Sequence, residues 1–501
     1  MDSATPINGE HAANAGLRNF VLLFLGCLLF HLAGTWSLPL IDRDEPRFAE
    51  AAREMLERGD YVIPYFNDHY RFDKPPLTYW FQTASYRLFG ENDFAARFPS
   101  AVAAALVAML LLAWGRRIES ERVGWWAAII FTLCLQTFMH AKAAVADMWL
   151  VLFVSAAHWA GYELLFAREG SKRSTSNVQR PTSKWWWIFY LSLGFAFLAK
   201  GPVGWTPLLT VAVAKIFLHD ANLQKRFALV RGIMLMAAIV CLWGIPALIR
   251  THGEFFYVGI GHHVIRRSLA TMEGHGANSF PTYLLTLPLY FITIFVSFFP
   301  WSIKLPWLTR KLWRQRESTD NYLIAGSAII FLLFTLVKTK LPHYTLPALP
   351  LIALLLARHW SREQNAERGF RRIAVVTGAV CLAVALIVFP FTGRLFPSIQ
   401  LLKISRNDLR PEMEFGAVGY NEPSLVWYFR SRVNGFFDSA LDAQSVQPFM
   451  DESGARFVIV PTSLAERTFP TPPPSWKTFR TQGFNIAKGK RVDLTLILKP
   501  E

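Results

Sequence analysis

Residues 42–97 read DRDEPRFAEAAREMLERGDYVIPYFNDHYRFDKPPLTYWFQTASYRLFGENDFAAR. The stretch follows an apolar run at residues 17–38 and carries eleven acidic side chains, with Asp42, Asp44 and Glu45 gathered where the chain leaves that run. Ionised groups are cheap in water and expensive in lipid, so this segment belongs at a membrane surface, folded over something polar. A polar loop of this kind is where an active site is expected.

Composition fits that setting. Of 501 residues, 52% are hydrophobic and 15% aromatic, and the mean hydropathy is +0.26. This is too apolar for a soluble protein of the same size and describes an integral membrane protein. The net charge of +16 does not mark a nucleic-acid binder, because the basic residues sit in short loops between apolar runs, where they orient the chain in the bilayer. Cys27, Cys134, Cys241 and Cys381 all fall inside apolar segments, which implies small buried side chains and no disulfide framework.

Apolar runs at residues 17–38, 94–114, 123–139, 143–166, 185–199, 203–218, 227–249, 283–301, 322–337, 341–357 and 373–390 give about eleven spans, within a range of ten to thirteen. The first run has no A-x-A-like cleavage site and reads as an uncleaved anchor. Threaded alternately, loops 115–122, 167–184, 219–226, 304–321 and 358–372 share one side and hold 20 Lys or Arg in 67 residues. Loops 42–93 and 250–281 on the other side hold 10 in 84. The positive-inside rule makes the first set and the N-terminus cytoplasmic, and puts the acidic loop outside a plasma (inner) membrane.

From about residue 398 the composition becomes that of a small soluble domain, so the chain divides into 1–397 and 398–501. Residues 415–419, 456–460 and 492–498 read as strands and 424–432 and 443–452 as helices, giving an α/β or α+β domain. An odd number of spans places it outside. Within the acidic loop, 46–58 predicts an amphipathic surface helix capped by Asp44 or Glu45 and ended by Gly59-Asp60. Asp73-Lys74-Pro75-Pro76 breaks the chain before a second surface helix over 77–88.

The series DRDEPRFAEAAREML, GDYVIPYFN and FDKPPLTYWFQTASYRLFGENDFAARFPSA resembles the first outer loop of the PMT-like, GT-C membrane glycosyltransferases. That family includes protein O-mannosyltransferases and 4-amino-4-deoxy-L-arabinose lipid A transferases. The resemblance continues at Ala146-Asp147-Met148, at Ala199-Lys200-Gly201-Pro202 and at residues 338–344, KTKLPHY, and covers most of the first 360 residues. It implies a GT-C fold and transfer of a sugar from a polyprenyl-phosphate carrier on the outer face of the membrane. The acceptor would be a lipid A-like glycolipid, another envelope glycan or a protein. The chain is expected to act as a monomer among membrane lipids.

Roles follow residue by residue. Asp44 matches the family's essential first-loop carboxylate and would activate an acceptor hydroxyl, with Glu45 as the alternative. Lys74 matches the phosphate-binding lysine of the K-P-P segment, and Arg47, one helical step from Asp44, would orient it or touch phosphate. Asp147 lies inside an apolar run, where an unpaired charge is costly; it would hold a cation or the sugar, with Lys142 as local partner. Lys200, Arg266, Arg267, Lys340 and Tyr344 complete the donor phosphate and sugar shell. No cofactor is required for departure of a lipid phosphate. A structural divalent metal between the first and second outer loops, held by Asp73, His262, His263 and His275, would suit some relatives.

Two rival classes are a lipid or solute transporter (a flippase) and an envelope polysaccharide polymerase or ligase. The first predicts paired broken helices with polar residues at mid-membrane, and the second a long late outer loop. The first pattern is scarce here, and the second is disfavoured because the charged cluster lies in the first outer loop.

Overall fold

The computed structural model describes residues 7–166, 184–217, 226–259, 261, 280–438 and 440–501. Helix α1 (Ile7–Leu32) enters the bundle, and α2 (Asp44–Arg58) and α3 (Leu77–Phe89) fold the acidic loop across one end of it. The loop's two strands, Tyr65–Phe66 and His69–Tyr70, pair antiparallel between these helices. Then come α4 (Asp93–Ile118), α5 (Glu121–Leu133), α6 (Leu135–Ala141), α7 (Asp147–Phe166), α8 (Lys184–Lys200), α9 (Thr206–Phe217) and α10 (Leu229–Arg250). After Phe280–Thr286 the bundle is completed by α11 (Leu289–Ser297), α12 (Leu305–Arg314), α13 (Ser318–Leu336), α14 (Leu349–Trp360) and α15 (Ala366–Ala383).

Among the described residues, six helices are long and apolar enough to cross a membrane, or eight if each of two bent pairs is one span. Fewer qualify than the eleven or so apolar runs because several runs are interrupted. Run 123–139 bends by 68° between α5 and α6, run 283–301 ends at a 112° bend, and run 341–357 starts as a 3-10 turn over Pro342–Ala348. The helical segment Lys184–Ala214 doubles back at Lys200–Trp205. A Cβ on Gly204 would lie 2.6 Å from that of Ala196, and Phe189 of α8 and Val211 of α9 both pack on Gly161. Gly201 makes the reversal with φ +79°, a conformation that costs glycine little.

Small residues set the tightest packing. α4 and α5 approach through Gly115 and Gly124, where a Cβ on Gly115 would come within 2.5 Å of the facing backbone. The two ends of the bundle carry different charges. At one end Arg358 meets Glu119 (2.9 Å), Glu317 (2.9 Å) and Asp320, while Arg362 pairs with Glu119 (2.7 Å) and Glu317 (3.0 Å). This joins loops 115–122, 304–321 and 358–372, which the basic-loop reading had placed on one side. The acidic loop covers the opposite end.

The C-terminal residues fold as a mixed five-stranded sheet. Its order is Phe437–Asp438, Glu414–Ala417, Arg456–Pro461, Lys490–Lys499, Lys477–Asn485, parallel over the first three strands and antiparallel thereafter. The expected strands are present, and so is a long antiparallel partner at Lys477–Asn485 that the sequence reading left out. Helix α16 (Pro423–Phe429) seats this domain on α2. Arg430 reaches Glu50, Glu54 (3.4 Å) and Glu57 (2.9 Å), and Asn67 exchanges two hydrogen bonds with the Phe437 backbone (2.6 and 2.8 Å). The predicted amphipathic surface helix therefore needs correction: α2 is buried on most of its face beneath the soluble domain. Its cap residue is Arg43, not an acid, and Gly59 ends it in the left-handed conformation as expected.

Candidate active site

The three acids at the start of the outer loop go three ways. Asp42 accepts from the Ser424 N–H (2.9 Å) and hydroxyl (2.6 Å) of the C-terminal domain. Burial pushes its carboxyl up to about 7, partly offset by those two bonds. Glu45 is sunk in the scaffold, where both oxygens accept from Arg97 (2.9 and 2.7 Å) and from the backbone N–H groups of Ala144 (2.7 Å) and Ile41 (2.8 Å). Asp44 alone is exposed, in the first turn of α2. Burial would lower the Arg71 pKa, but Tyr79, Asp73 and Asp44 outweigh it and raise it, which places the Asp44 charge near that guanidinium.

Segment 71–74 follows the short hairpin. Arg71 donates to the Tyr79 hydroxyl (3.1 Å) and to Asp73 (3.3 Å), and Lys74 donates to the Asp73 carboxylate (2.7 Å) and carbonyl (3.1 Å). Asp73 thus bridges two cations. Lys74 and Asp73 open onto a cavity of about 620 Å³ that also receives Asp147, Lys200 and Tyr344. Asp147 is the first residue of α7 and Lys200 the last of α8, so the α8–α9 reversal delivers the lysine to the acid at 2.6 Å. The Lys200 ammonium also stands 5.6 Å from the centre of the Tyr344 ring. His140 and His343 complete this cluster beside Asp147. The remaining cavity wall is almost wholly apolar, with Leu150, Phe197, Trp205, Trp243, Leu248 and Phe334 among its side chains.

A second cavity of about 380 Å³ shares Phe72 and Asp73 with the first. Arg47, His69 and Arg71 line it from the loop, and Asn421 and Glu422 from the C-terminal domain. Phe72 and Asp73 are the wall common to both cavities.

Other candidates are placed elsewhere. Lys142 is not the partner of Asp147: its ammonium donates to the carbonyls of Phe30 (2.9 Å), His31 (2.9 Å) and Ala33 (2.7 Å), closing the C-terminal end of α1. Lys340 does the same for α13 through the carbonyls of Phe334 (3.4 Å), Thr335 and Val337 (2.9 Å) and does not line the cavity. A cation at a helix C-terminus satisfies carbonyls that have no intrahelical partner. Arg266, Arg267, His262, His263 and His275 lie outside the described residues, so of the expected metal ligands only Asp73 is placed, and it is bonded to Arg71 and Lys74. The sequence reading passed over His140, His343 and Arg97. His343 lies inside the KTKLPHY motif, and Arg97 is spaced by one helix pair from Glu45, so neither stood out from its neighbours.

Residues 21–262 match the dolichyl-phosphate-mannose-protein mannosyltransferase family. An undecaprenyl phosphate-α-4-amino-4-deoxy-L-arabinose arabinosyl transferase of Aeromonas salmonicida is 31% identical over 366 residues, which take in 71% of this chain and 63% of that protein. The chain thus matches less than two thirds of that relative's length. The corresponding Enterobacter transferase is 28% identical over 83% of this chain and 72% of its own. ArnT from Cupriavidus metallidurans, solved bound to undecaprenyl phosphate, superimposes with a TM-score of 0.76 at 19% identity, covering 95% of this chain and 98% of that one. In its apo state the TM-score is 0.71. At that identity the likeness is one of fold.

Proposed function

We propose that this chain, which belongs to the PMT-like GT-C membrane glycosyltransferase family, moves a monosaccharide from a polyprenyl-phosphate donor to an acceptor on the outer face of the membrane. One observation carries the reading. The 620 Å³ cavity is apolar along most of its wall and carries Lys74, Lys200, Tyr344 and Asp147 at one end, which suits an amphiphile with an isoprenoid tail and an anionic head.

Lys74 and Lys200 offset the charge that grows on the departing lipid phosphate, worth about 3–4 kcal/mol per well-placed donor in comparable sites. Asp147 holds Lys200 in place. Asp44, exposed to solvent beside Arg71, activates an acceptor hydroxyl as it attacks the anomeric carbon, or orients the acceptor if that is already an anionic phosphate. Glu45 belongs to the scaffold in this scheme, since Arg97 and two backbone amides saturate it. No cofactor is required for departure of the lipid phosphate in this scheme. The named relatives favour an aminopentose donor; a lipid A-like acceptor follows from the first-loop resemblance, and the protein mannosyltransferase likeness keeps a protein acceptor as the alternative.

The acidic loop and the C-terminal domain face outward from the inner membrane and the basic loops and N-terminus face the cytoplasm, with the chain acting as a monomer. The test is sugar transfer in proteoliposomes supplied with undecaprenyl-phosphate aminoarabinose and lipid A. Turnover is expected from the wild type and to fall by about 10²–10³-fold in Lys200→Ala, while no turnover with any polyprenyl-phosphate sugar overturns the reading.

A further inference from the structure

We propose that His140, Asp147 and His343 form a divalent-cation site beside the Lys200 end of the large cavity. His140 lies in the last turn of α6, Asp147 opens α7 and His343 sits in the turn Pro342–Ala348, so three separate elements bring their side chains to one point. One ligand atom from each lies within 4.8 Å of the others; donors about 2.0–2.2 Å from a shared tetrahedral ion stand about 3.3–3.6 Å apart, so the three side chains draw in by up to about 1.5 Å on binding. The two imidazole rings stand 5.0 Å apart at their centres.

The His140 Nδ1 lies 3.1 Å from the Gln136 carbonyl oxygen and 3.3 Å from that residue's side-chain amide nitrogen; in the tautomer that donates to the carbonyl, Nε2 is the bare nitrogen. A ligating histidine generally donates its other N–H to a carbonyl or carboxylate in this way. Asp147 is largely buried. Lys200 occupies its Oδ1, and among the described residues no hydrogen bond or ion pair engages Oδ2. Two imidazoles and one carboxylate suit zinc, cobalt or manganese, with the remaining coordination positions open to an oxygen ligand from the cavity. The site differs from the one expected between the outer loops, because Asp73 takes no part in it. It goes beyond the transfer reading and is tested with the metal alone.

The experiment uses full-length protein in detergent, freed of any affinity tag and stripped by chelator, then titrated with Co²⁺. One equivalent is expected to bind with visible d–d absorption, lost in His140→Ala and in His343→Ala and retained in Asp73→Ala. Absence of stoichiometric cobalt, or a band that survives in either histidine variant, overturns the proposal. If the variants do not fold, pulsed EPR of Cu²⁺-loaded wild type decides: nitrogen couplings from two imidazoles are expected, and fewer than two contradict the site.

Discussion

The two charged ends of the bundle use similar residues in opposite ways. At the end closed by Arg358 and Arg362, every charge in the network is matched. Arg358 is 2% exposed and is shared by Glu119, Glu317 and Asp320, and the second Asp320 oxygen accepts the Glu317 N–H at 2.9 Å with His359 Nε2 3.2 Å away. At the other end Lys74, Lys200, Asp147 and Tyr344 border an apolar cavity, so their charges face space that a ligand can enter. Saturation makes a clamp and partial saturation makes a site. The same distinction operates inside the acidic loop, where Glu45 is locked and Asp44 is open.

Substitutions that break one end should therefore change chemistry, and those that break the other should change stability. The largest effect is expected from Asp44→Asn: transfer falls by about 10²–10⁴-fold, the range for losing a positioned base, with folding unchanged. Turnover within about twofold of wild type in the proteoliposome assay removes Asp44 from this role. Lys200→Ala should lower kcat/KM for the donor by about 10²–10³-fold, whereas Arg362→Ala, at the far end and half exposed, should leave it within about twofold.

Arg358→Met reverses the pattern. It strands Asp320, since Glu119 and Glu317 keep Arg362, and should cost about 3–5 kcal/mol, read as a lower unfolding midpoint in detergent, while activity per folded molecule is kept. A large loss of specific activity would mean that the two ends are coupled. Lys340→Met is expected to cost about 1–3 kcal/mol through three orphaned carbonyls of α13, without a change in donor affinity; weaker donor binding would return Lys340 to the phosphate shell.

The sequence showed the loop pattern well because charge in an apolar chain is conspicuous. The side-sharing of loops 115–122, 304–321 and 358–372 and the helices on either side of Asp73-Lys74-Pro75-Pro76 were legible from it, as was the Lys200 reversal. What an individual charge does was less legible. Lys142 and Lys340 look like site lysines because they flank the right motifs, yet helix geometry turns each toward the carbonyls that end α1 and α13. The division of Asp42, Asp44 and Glu45 depends on Ser424 and Arg97, which lie 382 and 52 residues away in the chain, and no local pattern reports such partners. The burial of α2 was missed for the same reason: its polar face carries Glu50, Arg53 and Glu54, whose partners are Arg430 and the Val426 and Trp427 carbonyls of the C-terminal domain and the Asn67 and Asp68 N–H groups of the hairpin.

A last prediction concerns the pH dependence of that docking. Asp42 has a folded-state pKa near 7, above its ordinary value, because burial disfavours the carboxylate. A group raised in this way contributes its full stability below the ordinary carboxylate range and loses it as pH climbs through about 7. The melting temperature should therefore drift down between pH 5 and 8, and Asp42→Asn should flatten that slope. A slope unchanged by the substitution assigns the pH dependence to other groups.

The central claim, that the open end of the bundle holds a lipid phosphate, is tested most directly by equilibrium binding of undecaprenyl phosphate to purified protein. The account predicts saturable binding that weakens by at least about tenfold, or about 1.4 kcal/mol, in Lys200→Ala and is unaffected in Arg362→Ala. Equal affinity in wild type and Lys200→Ala would contradict it.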